Sequence, residues 1–330
     1  MSVLNRRGSA LAVLILMTST SIAQALDLQG HRGARGLAPE NTLRAFATAL
    51  AIGVNTLELD TGITRDGVVV ISHDRALNPD ITRGADGEWL SAPGPAIHSL
   101  SLEELGRYDV GGTRPGSRYA ERHPLQRAAP GEHIPTLRQL FALTERAGNK
   151  VVRFNIETKV TPLAPADTLP PAAFADALVG VIRDAGMASR VSIQSFDWRT
   201  LRRVQATAPE IETVYLSAQQ RWLDNIEQGK PGVSPWTAGL DVDDFGGSVP
   251  ALVHAAGGRV WSPFHREVDA TRLAEAHALG LRVVVWTVND EARMRELIEM
   301  GVDGMITDYP DRLRRLMLEL KLQVPEPTPL

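Results

Sequence analysis

The sequence predicts an α/β fold: a closed (β/α)8 barrel of the TIM type with a small insertion after the second strand. Three observations lead there. Short apolar, β-branched runs alternate with amphipathic helical stretches, which implies parallel strands joined by crossover helices. About eight such units follow one another, a number and length that favour a closed barrel over an open doubly wound sheet. No G-x-G-x-x-G follows the first strand, so a dinucleotide-binding fold lacks its signature.

The strands are expected at residues 26–29, 56–60, 151–157, 191–194, 211–216, 259–261, 281–287 and 304–307. A further run at 68–72 follows the turn signal Arg65-Asp66-Gly67 and reads as a strand returning from the second. Residues 237–241 have strand-like composition but no place in the count. Helical spacing marks 41–52, 136–147, 171–185, 197–206, 269–279 and 291–300. Asn41 or Thr42 caps the first of these, and Gly148, Gly186, Gly280 and Gly301 stop four others.

Three stretches depart from this rhythm. Residues 1–25 combine Arg6 and Arg7, an apolar run from Leu11 to Met17, and Ala23-Gln24-Ala25. That order is the signature of a cleaved secretory signal, and the run is too short for a bilayer span of about 20 residues. The barrel is then expected over 26–322, without a stable membrane anchor, in the periplasm or the medium. Residues 75–134, rich in Gly, Pro and Arg, form a loop long enough to be functional or an insertion subdomain. Residues 323–330 hold three prolines and read as a flexible tail.

Composition narrows the chemistry. The chain has 330 residues and no cysteine, which excludes disulfides, thiolate metal sites and Cys nucleophiles. The formal charge is −4, and −6 once residues 1–25 are removed, so nucleic acid is not an expected partner. Only four of the 35 basic residues are lysine, which makes a well-placed lysine informative.

In such barrels the reactive groups sit where strands end. The first strand ends in His31-Arg32-Gly33, the second in Glu58-Leu59-Asp60, its return in His73-Asp74, and the third in Glu157-Thr158-Lys159. Glu58 and Asp60 are two apart on a strand and face one side. Two such charges are costly together unless a cation or proton joins them. Glu157 adds a third oxygen donor, a set suited to Mg²⁺ or Ca²⁺ rather than zinc. The competing reading is a set of salt bridges to arginine. His31 and His73 suit a general acid/base pair, and Arg32 and Lys159 suit a bound phosphate. Trp286 either walls the pocket or packs in the barrel. His265 is a weaker candidate for the mouth, and Asp308 reads as a brace. His98, His123 and His133 read as structural.

These residues, taken in order, resemble the glycerophosphodiester phosphodiesterase family. The resemblance runs from His31-Arg32-Gly33 and Pro39-Glu40-Asn41-Thr42 through Glu58-Leu59-Asp60, Thr64-Arg65-Asp66-Gly67, His73-Asp74 and Ile156-Glu157-Thr158-Lys159. It continues through Gln194-Ser195-Phe196-Asp197 and Trp286-Thr287-Val288-Asn289 to Gly304-Met305-Ile306-Thr307-Asp308-Tyr309-Pro310. It implies hydrolysis of a small glycerophosphodiester to glycerol 3-phosphate and an alcohol. His31 and His73 match its catalytic pair, Arg32 and Lys159 its phosphate site, and Trp286 its pocket wall. Glu58, Asp60 and Glu157 match the ligands of one divalent cation. The segment after Asp74 departs from a run such as LDRTT common in the family, which leaves the choice of leaving alcohol open. Two alternatives stand beside this reading: a periplasmic protein that binds phosphorylated solutes, and a phosphodiesterase acting on lysophospholipids.

Overall fold

The structure, a computed structural model, describes residues 25–329. The expected signal segment, up to residue 24, lies outside them. Eight parallel strands form the barrel: β1 Asp27–Gly30, β2 Thr56–Ile63, β3 Arg153–Thr158, β4 Val191–Ser195, β5 Glu212–Ser217, β6 Val260–Pro263, β7 Arg282–Val285 and β8 Gly304–Thr307. Closure is explicit, because β1 pairs with both neighbours: Gly30 stands opposite Thr307 of β8 and Leu57 of β2. The return strand Val69–Ile71 runs antiparallel to β2, with Ile71 opposite Thr61.

The expected helices form within one or two residues of their predicted ends. Thr42 caps Leu43–Ile52 by accepting the Ala45 N–H, and Gly148, Gly186, Gly280 and Gly301 all take positive φ at helix ends. Two outer helices are not among those expected: Val249–Ala255, which is short, and Pro310–Glu319, which is amphipathic and opens on a proline. Two expectations are corrected. Residues 237–241 are a turn rather than a strand, tightened by Thr237 hydroxyl bonds to the Ser234 and Leu240 carbonyls. The tail is not free along its described length. The Thr328 N–H donates to the Leu50 carbonyl at 2.7 Å, Asn149 donates to the Thr328 hydroxyl at 2.9 Å, and Val324 packs on the core. The insertion holds the short helices Leu102–Leu105 and Arg118–Arg122 around a small core of its own that includes Leu77, Ile97 and Leu105.

The main core lies between strands and outer helices, where Phe46, Leu57, Phe154, Phe174 and Trp198 are fully buried. The barrel's interior is divided. On the β5–β8 side it is filled by Val214, Val260, Val284 and Ile306. On the β1–β4 side it holds the buried amides Gln29, Asn155 and Gln194.

Candidate active site

At the strands' C-terminal rim a cleft of about 580 Å³ opens among His31, Arg32, Glu58, His73, Glu157, Lys159 and Trp286. Local structure places each. The chain turns sharply after β1, with Gly33 at φ 85° and so close to the helix backbone at Ala45 that a Cβ would clash. Arg32 itself takes φ 49°, a conformation rare for residues with a side chain. Its backbone N–H then reaches a Glu58 carboxylate oxygen at 2.9 Å. Parallel register sets Asp60 of β2 beside Glu157 of β3. Glu58, Asp60 and Glu157 are all buried, and each brings one oxygen within 4.8 Å of the others.

The three carboxylates are held differently. Arg32 Nε lies 3.2 Å from Asp60, and Lys159 Nζ lies 2.8 Å from Glu157 and 3.6 Å from Asp60. Burial opposes ionisation of Asp60, but Arg32 and Lys159 outweigh it and hold this carboxyl well below its usual range. Burial pushes Glu157 up to about 7 despite Lys159, with Asp60 adding to the rise. Glu58 is raised most, by burial and by the Asp60 charge. Its oxygens meet only neutral donors within hydrogen-bond reach, the Gln194 amide at 2.7 Å and the Arg32 backbone. Arg32 and Lys159, expected on a substrate phosphate, thus also balance the acidic cluster.

Each histidine is oriented by an aspartate. His31 Nδ1 lies 2.6 Å from Asp308, and His73 Nδ1 lies 2.7 Å from Asp74. Burial, reinforced by Arg35, lowers the His31 ring to about 4, and burial with Arg32 lowers His73. Asp308 braces, as expected, but it joins more than the sequence revealed: Arg35 binds it through two donors at 2.8 and 2.9 Å, and Asn289 donates at 2.7 Å. Arg32 is held by Glu40 at 2.8 Å, and the insertion's Tyr119 hydroxyl donates to the other Glu40 oxygen. Sequence reasoning missed Arg35, Glu40, Gln194 and Tyr119 as site residues: the partners of Arg35, Gln194 and Tyr119 lie on distant segments, and Glu40 meets Arg32 only through the irregular turn after β1. Only the Pro39-Glu40-Asn41-Thr42 and Gln194-Ser195-Phe196-Asp197 motifs hinted at two of them.

Trp286 does both things considered for it: it lines the cleft, and its indole N–H bonds the Ser262 carbonyl at 2.9 Å. It belongs to an aromatic cluster with Phe196, Phe264 and Trp222, ring centroids 5.3 to 6.0 Å apart. Trp222, 60% exposed, forms the lip. His265 does not line the cleft; its ring packs edge-on against Phe264. His98 and His133 bond the Ile63 and Tyr108 carbonyls, and His123 packs on Tyr119.

The donor set fits a hard divalent cation: three buried carboxylate oxygens, no thiol, and the buried Asn41 Oδ1 without a partner while its amide N–H donates to Asp60.

Fold and rim together define a barrel enzyme built around a buried acidic centre between two Asp-oriented histidines. The chain belongs to the glycerophosphoryl diester phosphodiesterase family, whose model matches residues 31–312. It is 29% identical over 287 residues to a glycerophosphodiester phosphodiesterase of Caldanaerobacter subterraneus subsp. tengcongensis, covering 87% of this chain and 96% of that protein. A Silicibacter pomeroyi structure assigned by name to the same phosphodiesterases is 35% identical, with TM-score 0.79, covering 91% of this chain and 95% of that one. An Oleispira antarctica phosphodiesterase solved with its product sn-glycerol-3-phosphate is 23% identical, with TM-score 0.64, covering 89% of this chain and 97% of that one; it shares the fold.

Proposed function

We propose that this protein hydrolyses glycerophosphodiesters to glycerol 3-phosphate and an alcohol, with His31 and His73 as its acid/base pair. The observation that carries this reading is the matched pair of His–Asp dyads lining one cleft with the carboxylate cluster. With both Nδ1 atoms engaged, each imidazole has Nε2 left for proton transfer. One ring takes the proton of the attacking oxygen, that of water or of the substrate's own glycerol hydroxyl, and the other gives a proton to the departing alcohol oxygen as the P–O bond breaks; where the glycerol hydroxyl attacks, water then opens the cyclic phosphate to glycerol 3-phosphate. Arg32 and Lys159 hold the phosphate oxygens, and Trp286 walls the organic part of the substrate. Glu58, Asp60 and Glu157 would hold one divalent cation, Ca²⁺ or Mg²⁺. Such an ion would supply positive charge to the phosphoryl oxygens.

The test is release of glycerol 3-phosphate from a panel of glycerophosphodiesters with Ca²⁺, with Mg²⁺ and with EDTA. Cation-dependent release supports the reading; release undiminished in excess EDTA removes the cation from it. The aromatic cluster favours a second substrate for the same chemistry, a lysophospholipid whose chain lies against Phe264 and Trp222. A lysophospholipid in the same panel checks it. If residues 1–25 are an export signal, this activity is periplasmic or extracellular, and the N-terminal sequence of the protein recovered from those fractions should begin at about Leu26. Among the described residues no helix is long and apolar enough to cross a membrane.

A further inference from the structure

We infer that Asn155 is a positioning residue for the acidic centre, acting through Gln194 on Glu58. The inference rests on the proposed cation site and concerns what holds one of its ligands in place.

Three buried amides form a line across the barrel interior, with a carboxylate at each end. Gln29 Nε2 donates to Asp27 at 3.0 Å, and Gln194 Nε2 donates to Glu58 Oε1 at 2.7 Å. Between them Asn155 Nδ2 donates twice, to Gln29 Oε1 at 3.0 Å and to Gln194 Oε1 at 2.9 Å. Asn155 Oδ1 in turn accepts the Ser192 hydroxyl at 3.1 Å.

The direction of this chain follows from its Asp27 end. Asp27 is paired with Arg153 at 2.9 Å and also accepts the Thr56 hydroxyl, so its oxygens serve as acceptors. Glu58 accepts the Arg32 N–H on its other oxygen. Asp27, which already accepts from a guanidinium and a hydroxyl, must also accept from Gln29, and the direction set there carries through Asn155 to Gln194. Each glutamine must therefore turn its NH2 outward and its carbonyl inward. The central residue must then offer two N–H groups side by side, and an asparagine amide does so with every polar atom used.

Glu58 gives this geometry its importance. Asp60 and Glu157 are steered by Arg32 and Lys159, whereas the nearest charged candidate for Glu58 is His31 Nε2 at 3.8 Å. Its carboxylate plane is fixed by two neutral donors alone, one of them the Gln194 amide. Without Asn155 the Gln194 amide is free to turn its oxygen toward Glu58, which repels the carboxylate. Asn155 is 1% exposed and does not line the cleft; its side chain reaches Glu58 through the Gln194 amide.

The experiment measures Ca²⁺ and Mg²⁺ binding by calorimetry on the folded protein, with thermal unfolding with and without cation. Asn155→Leu should raise the cation Kd about tenfold, the range found when groups orienting a metal ligand are lost. Ser192→Ala keeps the line and loses only its outer support; it should raise Kd two- to threefold and guards against a misfolded Asn155 variant. In a Gln194→Leu background, Asn155→Leu should add nothing to Kd, because the path is already cut. Unchanged Kd in both single variants with lowered melting temperature, or full additivity in the double variant, overturns the inference and leaves the cation site standing. Wild-type protein that binds neither cation removes the site and the inference together.

Discussion

The two halves of the rim follow opposite rules. From β1 to β4 it carries His31, Arg32, Glu58, His73, Glu157, Lys159 and Gln194; from β5 to β8 the cleft-facing residues include Leu216, Phe264, Trp286 and Ile306, while the buried Asp308 after β8 serves the charged half through His31 and Arg35. The interior beneath repeats the division, with amides under the first half and valines with Ile306 under the second. In the charged half each buried group depends on a named partner, because a buried charge left alone costs several kcal/mol. In the apolar half the requirement is shape, and neighbouring rings can take up the loss of one. The charged half should therefore be brittle and the apolar half tolerant.

The largest expected effect is in the charged half. His31→Ala should lower kcat by about 10³-fold while leaving the melting temperature nearly unchanged. A variant with near-normal turnover would break the acid/base assignment. Asp60→Asn comes next: it alters a carboxylate of the proposed cation site that also organises Arg32, Asn41 and Lys159, and the cation Kd should rise at least about tenfold. Equal affinity in calorimetry would show that Asp60 is not a ligand. Tyr119→Phe probes the coupling of insertion to site. It takes one donor from buried Glu40, at a cost of about 1–3 kcal/mol, and frees Arg32 enough to raise KM several-fold with a smaller change in kcat. Unchanged KM would uncouple the insertion from the phosphate site. The smallest effect belongs to Trp222→Ala. Being 60% exposed, the ring should contribute under about 1 kcal/mol to stability. Its loss should act on the preference between lysophospholipid and unacylated substrates; an equal effect on both would sharpen the division by placing the lip outside recognition.

The charged half was also the half legible in sequence. Strand ends announce themselves through local periodicity, and Glu58, Asp60 and Glu157 needed only the two-residue repeat and the strand order. What stayed hidden depends on contacts between distant segments. The Asp308 side chain reads as a brace, but nothing in the sequence says that it ties His31, Arg35 and Asn289 together across more than 270 positions. Tyr119 sits in a stretch without periodicity, so its reach to Glu40 left no pattern. The aromatic cluster draws on four separate segments, each following a different strand, with Trp222 between the two short strands Gln219–Gln220 and Leu223–Asp224. The tail misled for a related reason. Prolines argue against regular structure, and regular structure is indeed absent, yet the segment is bound by individual hydrogen bonds to Leu50 and Asn149.

That bound tail has a consequence for tethering. Leu50 lies at the end of the helix before β2, and Asn149 just before β3, so both mark the floor of the barrel, where the strands begin. Residue 25, directly ahead of β1, leaves from the same floor. Both described ends therefore point away from the mouth. A protein fixed to a bead or a cell envelope through either end would present its cleft outward, clear of its support, and would keep access to substrates in the surrounding fluid.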